Sequence, residues 1–121
     1  MIARPAVLVA MAVSSLAAGK ADANYFDGNE LLAWCENWQR EPDPGDDLLL
    51  GGYCGGFVGG VVDVLINKPN AFCVPQGPGG VRSAQLVEVV KLYLHDHPEK
   101  RNLAASLLVM QALKEKFPCP E

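Results

Sequence analysis

Apolar residues recur at helical spacing in four stretches of the chain, and polar or Pro/Gly-rich segments separate these stretches. The predicted helices cover about 27–39, 48–67, 83–95 and 98–116. The third has the clearest amphipathic pattern, with apolar residues at Leu86, Val89, Val90, Tyr93 and Leu94. Four helices joined by connections of moderate length predict an all-α fold, a compact bundle of four main helices.

Residues that favour helix starts lie at several of the predicted boundaries. Asp27 or Asn29 suits the N-cap of the first helix, and Ser83 suits that of the third. Pro98 suits the first turn of the fourth helix. In the fourth helix the spacing predicts inward-facing side chains at Leu103, Leu107, Met110, Leu113 and Phe117.

The second helix contains three glycine doublets, at 51–52, 55–56 and 59–60. They recur every four residues, so they form a narrow strip without side chains, opposite Leu50, Cys54, Phe57, Val61 and Leu65. Each glycine costs roughly 1 kcal/mol of helix stability relative to alanine, and close approach of another backbone is the expected compensation. That backbone is either the first helix or a second copy of the chain. The strip predicts this packing at Gly52, Gly56 and Gly60.

The same apolar run has two alternative interpretations. A membrane helix packed through small residues is one, but Asp46 and Asp47 lie beside the run and Asp63 lies within it. A phosphate-binding loop is the other, and it does not fit because no Lys-Ser or Lys-Thr follows the glycines. A buried helix of a soluble protein is the favoured interpretation.

Residues 1–23 are predicted to be a secretory signal peptide that is cleaved after Ala23. Arg4 supplies the positive charge, residues 5–19 are apolar or small, and residues 21–23 form an Ala-x-Ala-like cleavage site. A single membrane anchor is the alternative, but the uncharged stretch is shorter than the ~20 residues of a spanning helix. The predicted mature domain is residues 24–121, without a membrane segment, and its predicted compartment is the periplasm.

All four cysteines lie in the predicted mature chain, where oxidising conditions favour two disulfides over a zinc site. Antiparallel packing brings Cys35, late in the first helix, close to Cys54 in the first half of the second. Cys73 follows the second helix and Cys119 follows the fourth, so both belong at the opposite end of the bundle. The predicted pairs are therefore Cys35–Cys54 and Cys73–Cys119.

Charge and side-chain chemistry exclude several classes of function. The formal charge of the chain is −4, and loss of Arg4, Lys20 and Asp22 with the signal peptide leaves eight basic and thirteen acidic residues, a charge of −5. Without a basic run the chain is not expected to bind nucleic acid. His95 and His97 point apart, and no nucleophile, base or metal-ligand set is expected in mutual reach. The sequence therefore predicts a binding protein, not an enzyme, with no cofactor or metal.

Irregular segments carry the polar and turn residues that can reach a partner. The longest segment, 70–80, begins beside Cys73 and is the first predicted contact surface, through Asn70, Phe72, Gln76 and Gly77. The acidic segment 41–47 is the second, through Glu41, Asp43, Asp46 and Asp47. The turn at 95–100 is a third candidate.

Several short motifs follow one another along nearly all of the mature chain. They are FDGNELL at 26–32 followed by Cys35, CGGFVGGV at 54–61 closed by Asp63, CVP at 73–75, the QL, VV, YL and HPE groups between 85 and 99, and AL and FPC between 112 and 119. In order and spacing they resemble the Rap/Tai family of periplasmic immunity proteins. That family neutralises peptidoglycan amidases delivered by type VI secretion.

The resemblance implies an all-helical, commonly homodimeric protein with two disulfides that inhibits a secreted cell-wall amidase by occluding its active-site cleft. The acidic mature charge suits a basic cleft. The alternative is a small periplasmic acid-stress chaperone, which the domain also resembles in size, helicity and disulfide use, or an envelope protein without an amidase partner.

Overall fold

The described part of the chain contains four α-helices and one short 3-10 helix, joined by irregular segments. The computed structural model describes residues 2–3, 25–38 and 47–120. The helices are α1 (Gly28–Glu36), α2 (Leu48–Leu65), α3 (Ser83–Asp96) and α4 (Ala105–Lys116), with the 3-10 helix at Pro98–Lys100. Within these ranges there is no strand, only two isolated bridges. The all-α prediction is confirmed, whereas the predicted signal peptide lies outside the described residues apart from 2–3.

The first two helices begin at aspartate side chains. Asp27 Oδ1 accepts a hydrogen bond from the Glu30 N–H at 3.0 Å, and Glu30 Oε2 accepts one from the Asp27 N–H at 3.0 Å. Asp47 Oδ1 accepts from the N–H groups of Leu49 and Leu50, both at 3.1 Å. These bonds satisfy N–H groups that the first turn of a helix leaves unpaired.

The third helix begins one residue away from the predicted cap. Ser83 is its first helical residue, and Arg82 occupies the N-cap position. The Arg82 N–H donates to Gln85 Oε1 at 2.8 Å. The side chain of Gln85 therefore supports this end of the helix, and the prediction of Ser83 as the cap is wrong by one position.

The fourth helix begins later than the spacing predicts. Pro98 starts the 3-10 helix, and α4 begins only at Ala105. Between them Ala104 leaves the helical conformation and forms a bridge with Asp27. The Ala105 N–H then donates to the Phe26 carbonyl at 2.9 Å. This attachment to the start of α1 interrupts the helix, and it depends on residues far away in sequence.

The side of α4 that faces the core also differs from the predicted one. Leu113 is fully buried as predicted, but Leu103 precedes the helix and is 37% exposed. Leu107, Met110 and Phe117 are half-buried. The prediction of an inward-facing residue is therefore wrong for Leu103 and partly met by Leu107, Met110 and Phe117, of which Met110 and Phe117 pack against the core. The buried residues of α4 are Ala105, Leu108, Val109, Ala112 and Leu113.

The core lies between the four helices and the first half of the 70–80 segment. It includes four of the five stripe residues predicted for α3, since Val89 is half-buried. The largest fully buried side chains are Phe72, Leu31, Leu94, Leu108, Leu113, Val58, Val90 and Val109, together with Cys35 and Cys54.

Both predicted disulfides are present. Cys35–Cys54 joins α1 to α2 with a Cα–Cα distance of 4.9 Å. Cys73–Cys119 joins the 70–80 segment to the end of the chain beyond α4, with a Cα–Cα distance of 4.7 Å. The two bonds therefore tie opposite ends of the bundle, as antiparallel packing requires.

Helix α2 is buried along one side only. It packs against α1, α3 and α4, yet its buried residues are only Gly51, Cys54 and Val58. Among the described helices it alone is long and apolar enough to cross a membrane by length and composition, with a mean hydropathy of 1.7. The expectation of a buried helix thus holds for one side, and the other side is exposed apolar surface.

Candidate interaction surfaces

The glycine doublets of α2 divide into two rows with different surroundings. A Cβ added at Gly51 would lie 2.6 Å from the Asn37 carbonyl oxygen, and one at Gly55 would lie 3.2 Å from Trp38 Nε1. The residues that follow α1 therefore approach α2 closely at these two glycines, through the backbone of Asn37 and Trp38 at Gly51 and through the Trp38 side chain at Gly55.

The row of Gly52, Gly56 and Gly60 faces open space, and so does Gly59 at the end of the first row. A Cβ added at Gly52, Gly56, Gly59 or Gly60 would meet no described atom within 4 Å. The prediction that the first helix packs on Gly52, Gly56 and Gly60 is therefore wrong. The alternative, a second copy of the chain, stays a prediction.

An aromatic cluster borders the exposed row of glycines. The Trp34 ring lies 4.7 Å from that of Phe26 and 5.7 Å from that of Tyr53, measured between centroids. Phe57 is 6.1 Å from Trp34. With Gly52 and Gly56 these residues line an apolar groove of about 470 Å³. This groove was not predicted from the sequence. Tyr53 and Phe57 lie one helical turn apart in α2, and this spacing places two aromatic side chains on one side of the helix.

A second groove continues from the first along α2 toward α4. It shares Gly56 and Phe57 with the aromatic groove and has a volume of about 460 Å³. Its other lining residues are Gly60, Val61, Val64, Leu65 and Ser106. The two grooves form one apolar channel beside the exposed glycines. A third cleft, of about 310 Å³, lies on the other side of α2 against α3 and is lined in part by Trp38.

The 70–80 segment is anchored at its beginning and projects at its end. Phe72 is fully buried, so the prediction of Phe72 as a partner contact is wrong. The Asn70 carbonyl accepts from Lys114 Nζ at 3.2 Å, and the Cys73 N–H donates to the Phe117 carbonyl at 2.9 Å. Burial of Phe72 and the Cys73 disulfide hold this half of the segment in place. The sequence did not reveal this, because an apolar residue in a loop can face either the core or a partner.

The exposed half of the segment is a closed turn. Gly80 N–H donates to the Gly77 carbonyl at 2.8 Å, and Val81 N–H donates to the Pro75 carbonyl at 3.0 Å. Gln76 and Gly77 are exposed at the tip, and Gly77 has a positive φ of 81° that favours glycine. Together with exposed Asn70, these are the predicted contact residues that the structure leaves accessible.

The predicted acidic surface is described only at its end. Glu41, Asp43 and Asp46 lie outside the described residues. Asp47 is described, and its carboxylate caps α2. A partner that bound this carboxylate directly would compete with the two backbone N–H groups that it accepts from.

The histidines of the 95–100 turn have different partners. His95 Nε2 lies 2.6 Å from Glu36 Oε1 on α1, and His97 Nδ1 lies 3.1 Å from Glu99 Oε1. A backbone hydrogen bond, and then the bond from His97, hold the pKa of Glu99 below its usual range. Across the described ranges, no three His, Cys, Asp or Glu side chains are grouped closely enough to hold a metal ion. His95 therefore joins α3 to α1, and His97 and Glu99 pair with each other within the turn.

Comparison with known families agrees with this architecture. Residues 27–119 match the Rap1a immunity proteins, while no curated protein matches the chain. The matched span begins at the N-cap of α1 and ends at the last cysteine, so it contains all four helices and both disulfides. On this evidence the chain belongs to the Rap1a immunity protein family.

Proposed function

We propose that this protein is an exported, homodimeric immunity protein that binds a secreted peptidoglycan amidase and occludes its active-site cleft. The match to the Rap1a immunity proteins over residues 27–119 is the observation that carries the proposal. The signal peptide at 1–23 directs the chain to the periplasm, where a type VI-delivered amidase reaches its substrate. The protein acts by binding, and it is not itself an enzyme.

The rigid turn at 75–80 is the part of the described chain best suited to enter a cleft. It projects from an anchored base, because Phe72 is buried and Cys73 is bonded to Cys119. A loop whose base is fixed loses little conformational entropy on binding. Its tip, Gln76 and Gly77, is exposed. The mature charge of −5 favours encounter with a basic cleft.

The proposal is tested by measuring inhibition of purified peptidoglycan amidases from the same genome, beginning with any that is encoded beside this gene. Residues 75–79 are replaced by Gly and Ser at equal length, keeping Phe72, Cys73 and Gly80. We expect the inhibition constant to rise by at least about 30-fold, the effect of losing one hot-spot residue. Circular dichroism and the melting temperature should stay close to those of the wild type.

A matched control changes the exposed turn next to the same loop. The double variant Lys68→Ser/Pro69→Ser alters two exposed side chains at the base of the segment, and we expect it to inhibit normally. A third variant, Glu41→Gln/Asp43→Asn/Asp46→Asn, tests the acidic surface separately. Normal inhibition by every loop variant would refute the loop assignment. Failure of the wild type to bind any amidase from the same genome would refute the immunity function itself.

The chaperone alternative has one observation in its favour, the exposed apolar side of α2. A chaperone of this kind would suppress aggregation of several unfolded periplasmic proteins at acid pH. An immunity protein would bind one hydrolase at neutral pH. Pull-down from periplasmic extract at the two pH values separates these functions.

A further inference from the structure

We infer that Gln76 is the specificity-determining side chain of the 75–80 turn, and that its terminal carboxamide occupies the place of the substrate amide in the active site of the amidase. This inference rests on the proposed function and names the chemical group through which the turn acts. The amidase is then inhibited by an imitation of its substrate as well as by the bulk of the turn in its cleft.

The 75–80 turn carries a single functional group besides its backbone. Its residues are all proline or glycine except Gln76. Residues 75–79, which include Gln76, are exposed. Proline and glycine have no hydrogen-bonding side chain, so the primary carboxamide of Gln76 is the only side-chain donor and acceptor that this turn offers to a partner.

The carboxamide of Gln76 has no role in the described fold, unlike those of the other described glutamines. Gln85 Oε1 accepts from the Arg82 N–H at 2.8 Å, and Gln111 Oε1 accepts from the Tyr93 hydroxyl at 3.1 Å. The side chain of Gln76 makes no hydrogen bond to any described residue. Its two N–H donors and its carbonyl acceptor are therefore available to a partner.

The backbone that presents Gln76 is held in one shape. The Gly80 N–H bond to the Gly77 carbonyl closes the turn, and Gly77 and Gly79 have positive φ angles of 81° and 79°. A Cβ added at Gly80 would lie 2.7 Å from the Pro75 carbonyl oxygen and 2.9 Å from Gln76 Cα, so the two ends of the turn are in close contact. Binding then has to order only the side chain of Gln76, which keeps the entropic cost small.

A carboxamide matches the group that an amidase site is built to bind. Hydrolysis of an amide passes through a tetrahedral intermediate, and the enzyme stabilises its oxygen with preorganised hydrogen-bond donors. The carbonyl oxygen of Gln76 can accept from those donors, while its amide nitrogen takes the place of the leaving amine. An apolar side chain of the same length would leave these polar groups of the enzyme unpaired, which is costly in a site that excludes water.

The alternative is that the turn inhibits through its shape and its backbone alone. Its supply of backbone donors is reduced, because Pro75 and Pro78 have no N–H group and the Gly80 N–H is already bonded to Gly77. The side chain of Gln76 is therefore the better source of specific hydrogen bonds. A substitution that keeps the backbone and removes only the carboxamide separates the two explanations.

The test compares two substitutions of Gln76 in inhibition assays with purified peptidoglycan amidases from the same genome. Gln76→Met keeps the length and the neutral charge of the side chain but removes the carboxamide, and Gln76→Ala removes the whole group. We expect both to raise the inhibition constant by at least about 30-fold, the effect of losing one hot-spot residue. Wild-type inhibition should be competitive with a soluble muropeptide substrate, because the carboxamide and the substrate amide share one position.

The matched control removes a different exposed carboxamide by the same kind of change. Asn102 is exposed and precedes α4, whereas Cys119, bonded to Cys73 at the base of the contact segment, follows that helix. Asn102→Leu leaves the net charge unchanged and should inhibit like the wild type. The melting temperatures of the Gln76 variants should stay close to that of the wild type, because the side chain of Gln76 holds no described residue in place.

Each result decides for or against the role of the carboxamide. Gln76→Met that inhibits as strongly as the wild type would overturn the inference and leave the proposed function standing, because shape and backbone would then be sufficient. Noncompetitive inhibition by the wild type, or an equal loss of inhibition in Asn102→Leu, would also overturn the inference alone. A wild type that inhibits no amidase refutes the proposed function and the inference with it, so the two failures are distinguishable.

Discussion

Neighbouring glycines in α2 have opposite surroundings, so the same substitution should have opposite effects. A Cβ at Gly51 would lie 2.6 Å from the Asn37 carbonyl oxygen, whereas one at Gly52 meets no described atom within 4 Å. A backbone carbonyl cannot move aside as the end of a flexible side chain can. The cost of overpacking at Gly51 therefore exceeds the gain in helix propensity, and at Gly52 only the gain remains.

We predict that Gly51→Ala lowers the free energy of unfolding by about 1–3 kcal/mol. Gly52→Ala should raise it by about 0.5–1 kcal/mol, because alanine reduces the entropy that the helix loses on folding. Urea denaturation of both variants at a protein concentration low enough to keep the chain monomeric measures the difference. Equal effects of the two substitutions would contradict the assignment of the rows.

The sequence could not decide which glycine row faces α1. Because the glycine doublets recur every four residues, the first glycines of the doublets form one row and the second glycines form another. The two rows have the same spacing, so the spacing does not distinguish them. The choice is made by the place where α1 ends, since Asn37 and Trp38 lie against Gly51 and Gly55. That position depends on the packing of two helices, which periodicity within one of them does not report.

At the scale of helices, local signals predicted most of the fold. The cap at Asp27 and the apolar spacing of α3 both depend on nearby residues. The start of α4 could not be predicted from local signals. It depends on two backbone hydrogen bonds, between Gly28 and Leu103 and between Ala105 and Phe26, which link residues over seventy positions apart. Spacing alone therefore extended the predicted helix through this attachment and placed Leu103 within it.

The two disulfides close loops of different length and should stabilise the fold unequally. Cys35–Cys54 spans 19 positions and Cys73–Cys119 spans 46. By loop-closure entropy their removal costs about 3 and about 4 kcal/mol respectively. We predict that Cys73→Ala/Cys119→Ala has a lower denaturation midpoint than Cys35→Ala/Cys54→Ala, alanine being used because Cys35 and Cys54 are fully buried.

Hydrogen exchange provides a local check on the same pair of variants. Loss of Cys73–Cys119 frees the end of α4 and the first half of the 70–80 segment, which the Cys73 N–H bond to Phe117 also joins. Exchange should accelerate most there. If exchange instead rose mainly in α1 and α2, the separate roles of the two disulfides at opposite ends of the bundle would be contradicted.

At the scale of the molecule, part of the candidate site was visible in the sequence. The exposed turn around Gln76 and Gly77 was predicted from its composition, and the structure leaves both residues accessible. Phe72 was misassigned because the sequence does not show whether an aromatic residue in a loop faces inward. The aromatic groove was missed because Phe26, Trp34 and Tyr53 come from separate segments, and only the tertiary fold brings them together.

The net charge of the chain predicts how salt affects the rate of association with the amidase, and this prediction does not depend on any single contact. If the proposed mature chain, with its charge of −5, attracts a basic amidase, association should slow as salt screens the two molecules from each other. Between roughly 0.01 and 0.15 M ionic strength the Debye length falls from about 30 Å to about 8 Å. We predict that the association rate constant falls by about tenfold over this range, while the dissociation rate constant changes little.

Removing surface charges that are distant from the proposed contact turn tests whether long-range electrostatic attraction causes the salt dependence of association. Glu88 and Glu115 are exposed on α3 and α4, and neither belongs to the 75–80 turn. In Glu88→Gln/Glu115→Gln the association rate constant at low salt should fall about two- to threefold and the dissociation rate constant should stay the same. Stopped-flow association and surface-plasmon-resonance dissociation measure the two constants. A change mainly in dissociation would mean that these carboxylates touch the amidase, and the binding surface would then include the exposed faces of α3 and α4.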